Sequence, residues 1–228
     1  MNYFAHGHRY VDRPYLLVGT AIPDLLSVSD RRVRMRTRNV APFCEDDDPI
    51  QAEIASGVLQ HLHDDQWFHG TRGFAEVTAE IGRAYRDVLD SDDDFRPGFL
   101  GHITTELILD GVLIEDDPSL LDAYYDAFLQ VNPIRVQSAV NRMARDSAEN
   151  LAQFVPLFVR EEFLRDYREP RRMLFRLNQV MRRIKLKQLP DSVEEVIAAG
   201  WTIVADRVTD LLPPDKFCPS TPNEGLHR

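Results

Sequence analysis

His61, Asp65 and His69 stand four residues apart, and His102, Glu106 and Asp110 repeat that spacing further along the chain. A helix brings residues four apart onto one face. Imidazole offers neutral nitrogen and carboxylates offer anionic oxygen. Two helices facing each other across these stripes would therefore enclose one or two hard or borderline divalent cations. Six of the seven histidines lie within the first 102 residues, which places the chemistry in the N-terminal half.

Ile54, Val58 and Leu62 keep an apolar stripe at spacing four, and His61 and Asp65 are turned about 100° from it, at the border of a core. A lone histidine there reads as a hydrogen-bonded structural residue; two histidines with an aspartate between them read as a ligand set. His63 and Asp64 face elsewhere and read as supporting or surface residues. His102 and Glu106 alone would be an ordinary i,i+4 pair, and gain weight beside the first set. His6 and His8 share a face in an extended segment and diverge in a helix, so at most one is a ligand, and His6 is the choice. Asp24 follows Pro23, where a helix is open to interruption, and can either cap a helix or bridge two metals. The metal set is then His6, Asp24, His61, Asp65, His69, His102 and Glu106, with Asp24 and Asp65 as the catalytic carboxylates. Such a set suits hydrolysis, because a bound cation lowers the pKa of water and polarises a phosphoryl oxygen. No Gly-x-Ser-x-Gly, phosphate-binding glycine loop or dinucleotide fingerprint competes with this reading. A non-catalytic helical protein with a structural metal, or with the scaffold alone, is the alternative.

The bulk properties agree with a soluble protein. At 228 residues, 43% hydrophobic and 28% charged, the chain fits one globular domain. A net charge of -10 argues against nucleic-acid binding. No apolar run approaches the roughly 20 residues that span a bilayer. The first residues carry no basic region followed by a long apolar core. Cys44 and Cys218 sit in polar surroundings, so a reducing cytoplasm is expected. The charge is uneven. Acidic runs occupy 45–48, 92–94 and 115–117, and read as solvated helix ends and loops. Residues 160–187 hold ten Arg/Lys against four acids. Arg31, Arg32, Arg34, Arg36 and Arg38 follow Asp24 closely. Arginine matches phosphate oxygens bidentately, so Arg32 and Arg34 are candidates for binding a substrate anion. In an extended segment 32, 34, 36 and 38 share a face. Pairing of these arginines with the acidic run at 45–48 is the competing reading.

The elements that must position these residues are helices. Pro49, Pro97, Pro118, Pro133, Pro156, Pro170 and Pro190 each stand near the start of an apolar-periodic stretch, where proline is tolerated. Residues 119–131, 171–186 and 191–212 show amphipathic three-and-four spacing. No sustained period-two alternation occurs, and the one Asp-Gly pair, Asp110-Gly111, ends a helix-like run. The expected fold is all-α, a single bundle of roughly seven to nine helices over residues 1–212. A loop is expected over 38–49, and an extended or disordered tail over 213–228.

The same residues carry a resemblance. Met1-Asn-Tyr-Phe-Ala-His6-Gly-His8, Gly19-Thr-Ala-Ile-Pro-Asp24-Leu and Gly57-Val-Leu-Gln-His61-x-x-x-Asp65-x-Trp-x-His69 resemble blocks of bacterial acyl carrier protein phosphodiesterases. His102 and Glu106 sit where that family has a further His and acid. The resemblance covers the first half of the chain. It implies a helical variant of the metal-dependent His-Asp phosphohydrolases, a cation such as manganese, and phosphodiester hydrolysis on a phosphopantetheinylated carrier protein or another phosphorylated molecule. Leu62 stands where the family has Arg. His69 stands where it has Asp, which makes the set richer in nitrogen and shifts the preference towards zinc or iron. Pro23-Asp24 and Gly98-x-x-Gly101-His102 are also similar to zinc-dependent phospholipase C-like proteins.

Overall fold

The protein is described by a computed structural model over residues 1–89 and 95–217. Among the described residues every regular element is helical and no strand occurs. The helices are α1 Tyr3–Gly7, α2 Pro14–Ser29, α3 Thr37–Val40, α4 Pro49–Phe68, α5 Arg72–Val88, α6 Pro97–Asp116, α7 Pro118–Leu129, α8 Pro133–Met143, α9 Leu151–Glu161, α10 Pro170–Arg183, α11 Val193–Asp206, α12 Val208–Leu211 and α13 Pro214–Phe217. The all-α class is as expected, and the count exceeds seven to nine. The excess is four helices of four or five residues, α1, α3, α12 and α13, too short to show a periodic pattern. No helix among the described residues is long and apolar enough to cross a membrane.

Proline starts α2, α4, α6, α7, α8 and α10, where its missing N–H costs nothing. Side chains of Asp48, Asp117 and Asn132 cap α4, α7 and α8. Two acidic runs thus end helices, as expected; the run at 92–94 lies outside the described residues. Other expectations need correction. Pro156 lies inside α9 rather than at its start. Pro23 does not interrupt α2, which continues to Ser29. Asp110-Gly111 lies in the middle of α6. The stretch 38–49 is not a plain loop: α3 and a 3₁₀ turn at Ala41–Phe43 occupy it, with Val40 fully buried. The 191–212 stretch breaks at Arg207. Beyond Leu212 the chain forms α13 and buries Phe217; residues 218–228 lie outside the described residues.

Two helices are surrounded. Residues 16–22 of α2 and 107–111 of α6 are buried without a gap, so neither helix has a solvent face there. Each is crossed closely by a neighbour. A Cβ on Gly57 of α4 would stand 2.1 Å from the Leu16 carbonyl of α2, and one on Gly19 would stand 2.6 Å from the Ile54 carbonyl. A Cβ on Gly101 of α6 would meet the Thr78 carbonyl of α5 at 2.4 Å. Helix α1 lodges between the two crossings, touching α2, α4, α6 and α7. The helices form two glycine-crossed pairs bridged by α1, around which the other described helices pack.

Gly57→Ala should destabilise the protein. A methyl there meets rigid backbone, and overpacking costs about 1–3 kcal/mol against a helix-propensity gain of roughly 1 kcal/mol. A lower melting temperature than wild type is expected; a rise would show that the crossing is looser than described.

Candidate metal centre

Helix α1 has no side-chain cap of its own. Asp110, at the centre of α6, supplies one: its Oδ2 accepts from Phe4 N at 2.9 Å and its Oδ1 from Ala5 N at 2.8 Å. These are first-turn N–H groups that the helix cannot satisfy itself. Burial pushes the Asp110 pKa up to about 7, although both N–H bonds oppose that rise. The carboxylate fixes α1 in depth and rotation, and so fixes His6, which is fully buried.

His6 stacks on His61 of α4, with ring centroids 3.9 Å apart. Its Nε2 lies 3.2 Å from Asp65 Oδ1, and its Nδ1 lies 3.7 Å from Asp64 Oδ2. Neither nitrogen makes a hydrogen bond. His61 Nδ1 lies 2.8 Å from the Thr20 carbonyl. A carbonyl only accepts, so Nδ1 carries a proton, and Nε2 lies 3.5 Å from Asp65 Oδ2. Thr20 follows Gly19 and His61 lies one turn past Gly57, so the first glycine crossing sets this contact. His6, His61 and Asp65 hold donor atoms within 4.8 Å of one another.

His69, His102 and Glu106 form a second set with the same property. His69, at the C-terminal cap of α4, places Nε2 2.8 Å from Glu106 Oε1. His102 Nε2 lies 3.3 Å from the same oxygen. The Phe74 ring backs both imidazoles, with centroids 5.0 and 4.9 Å away. The side chains of His69 and His102 are 34% and 42% exposed, so this half faces solvent. The two sets adjoin: the Met1 ammonium lies 2.9 Å from Asp65 Oδ1 and 3.1 Å from Glu106 Oε1.

Asp24 completes the group from α2. It interacts electrostatically with His61, Asp65, Glu106 and the ammonium, and burial followed by the neighbouring carboxylates pushes its pKa up to about 7. Its Oδ2 is buried without a hydrogen-bond partner. Burial alone would also raise Asp65 and Glu106. The imidazoles and the ammonium outweigh it and hold both well below the usual carboxylate range. Orphaned buried polar atoms are rare and costly in native structures. Here the orphans are two histidine nitrogens and one carboxylate oxygen, donor types that bind divalent transition metals. The residues therefore fit a metal.

Six of the seven sequence-derived candidates fall into the two sets, and Asp24 of α2 stands within electrostatic range of His61, Asp65 and Glu106. His8 does not join them: its Nδ1 donates to Phe4 O, and burial pushes its pKa down to about 4. His63 is exposed. Asp64 has a supporting role, accepting from Gln60, Trp67 and Arg9 beside His6. Arg32, Arg34 and Arg36 are exposed around buried Val33 and Met35, the alternation of an extended segment, while Arg38 belongs to α3. Arg34 donates to the carbonyls of Arg31 and Val33. Asp46 and Asp48 pair with Arg142 and Arg135 rather than with this basic run. Asp110 shares the four-residue spacing of His102 and Glu106, but its capping role has no signature in that spacing, and the Thr20 carbonyl leaves no mark in a sequence at all.

Asp110→Ala should leave two buried N–H groups unpaired and destabilise the protein by about 2–4 kcal/mol, with Asp110→Asn intermediate. Denaturant unfolding checks this; equal stability of both variants and wild type would remove Asp110 as the anchor of His6. The chain was compared with protein-family models, curated proteins and solved structures, and none matches.

Proposed function

We propose that the chain is a metal-dependent phosphodiesterase or phosphohydrolase, with His6, Asp24, His61, Asp65, His69, His102 and Glu106 as its centre. The observation that carries this reading is the pairing of orphaned buried donors, at His6 and Asp24, with a half-exposed rim, at His69 and His102. A closed structural site accounts for the buried donors but not for the rim, since structural sites leave no position open. The resemblance to acyl carrier protein phosphodiesterases supports the same chemistry. The substrate is a phosphorylated small molecule or a phosphopantetheinylated carrier protein, and the setting is the cytoplasm.

A divalent cation held here, manganese, zinc or iron, would polarise a phosphoryl oxygen and ease ionisation of water. The chain's own residues divide the remaining work. Asp65 commits Oδ1 to the ammonium and faces His61 with Oδ2. Asp24 keeps a free oxygen, so Asp24 is the residue placed to accept the proton of an attacking water. Thr20 holds the orientation of His61, and Asp64 lies 3.7 Å from His6 Nδ1. His69 and His102 stand where an incoming phosphate meets the protein first. Arg32 and Arg34 lie on an exposed face and are proposed to attract the anion.

Hydrolysis of a generic aryl phosphodiester with added Mn²⁺, Zn²⁺ or Fe²⁺ tests the reading. Turnover is expected with at least one metal, and Asp24→Asn should lower kcat by about 10²–10⁴-fold in a folded protein. Absence of turnover with all three metals, or an Asp24→Asn variant as active as wild type, contradicts it. Metal content should fall as pH drops, because imidazole must be neutral to ligate. The double reversal Arg32→Glu with Arg34→Glu should raise KM and weaken its salt dependence. Unchanged kinetics with a lower melting temperature would make these arginines structural.

A further inference from the structure

We infer that the centre binds two cations with unequal hold: a retained ion in the inner set of His6, His61 and Asp65, and an exchangeable ion in the outer set of His69, His102 and Glu106. The assignment of substrate phosphate to the outer ion rests on the hydrolase reading; the two-ion assignment does not.

The sets share no residue, and each offers three donors within 4.8 Å of one another. The surroundings of their imidazoles differ in kind, while of the carboxylates Asp65 is the more exposed, at 33% against 15% for Glu106. The inner imidazoles are 0% and 4% exposed and supported from behind. Thr20 fixes the tautomer of His61. Asp64 stands behind His6, and Asp110 pins the helix that carries it. Such outer support typically contributes about 10–100-fold in metal affinity. The outer imidazoles are backed by the Phe74 ring, an apolar surface that orients them without bonding them. They face solvent, which gives an ion there an open side and a short path out.

The charge balance points the same way. Asp24, Asp65 and Glu106 place three carboxylates in one partly buried locus, and the Met1 ammonium touches only Asp65 and Glu106. A single divalent ion in the inner set would leave Glu106 with its two outer histidines as a complete ligand trio still unused.

The full chain loaded with Mn²⁺ is desalted, and its metal content is measured before and after brief passage over a weak chelating resin. Two Mn²⁺ per chain are expected after loading and one after the resin. His102→Ala, a change at the exposed rim, should hold one ion that survives the resin; His61→Ala should hold one that does not. Thermal unfolding of each variant confirms that it is folded. His102→Gln gives a second rim variant if His102→Ala is not. One ion in loaded wild type, two in the His102 variant, or loss of both ions at a single rate would overturn the assignment. The hydrolase reading fails separately, if two ions bind and no phosphoester is cleaved. Full turnover by the one-ion His102 variant would remove substrate from the outer ion and leave the stoichiometry standing.

Discussion

The backbone contact between α2 and α4 is the constraint on which the centre depends. Gly19 and Gly57 have no side chains, and a Cβ on either would run into the opposite helix. Their contact brings the Thr20 carbonyl within hydrogen-bond reach of His61, four residues past Gly57. It also carries Asp24, four residues past Thr20, towards the same point. A wider crossing would separate these helices by more than one hydrogen bond can bridge. The second crossing, Gly101 against α5, does comparable work one residue from His102. Close packing is thus converted into side-chain orientation.

The third requirement is a way to insert His6 between the two pairs. A five-residue helix is too short to be stable alone. Its position comes from Asp110, a carboxylate buried at a cost that appears in its raised pKa. The cost is offset because two N–H groups that would otherwise be orphaned find an acceptor. The centre holds further buried atoms without a hydrogen bond, on His6 and Asp24. Unsatisfied atoms of these types are the ones that the proposed metal would satisfy.

Much of this was legible in the sequence, for identifiable reasons. Spacing by four survives folding whenever the segment is a helix, so His61 with Asp65 and His102 with Glu106 came together as read. The choice of His6 over His8 followed from helical divergence and agrees with the geometry. Asp24 is a candidate on the expectation that Pro23 interrupts a helix, whereas α2 continues through that residue. What stayed hidden depends on tertiary contact. The cap that Asp110 provides, the Thr20 carbonyl and the placement of α1 each join residues distant in sequence. The short helices α3, α12 and α13 lack enough residues to show a period. The partners of Asp46 and Asp48 stay hidden because Arg142 and Arg135 lie on a helix, α8, whose approach no local pattern announces.

Anomalous X-ray diffraction from crystals of the metal-loaded chain tests the central claim most directly, because it locates the cation without reference to activity. Anomalous density is expected about 2.0–2.3 Å from His61 Nε2, with His6 and Asp65 completing the inner ligands. No density at that point, or density only at the exposed acidic runs, would contradict the assignment of these seven residues to one metal centre.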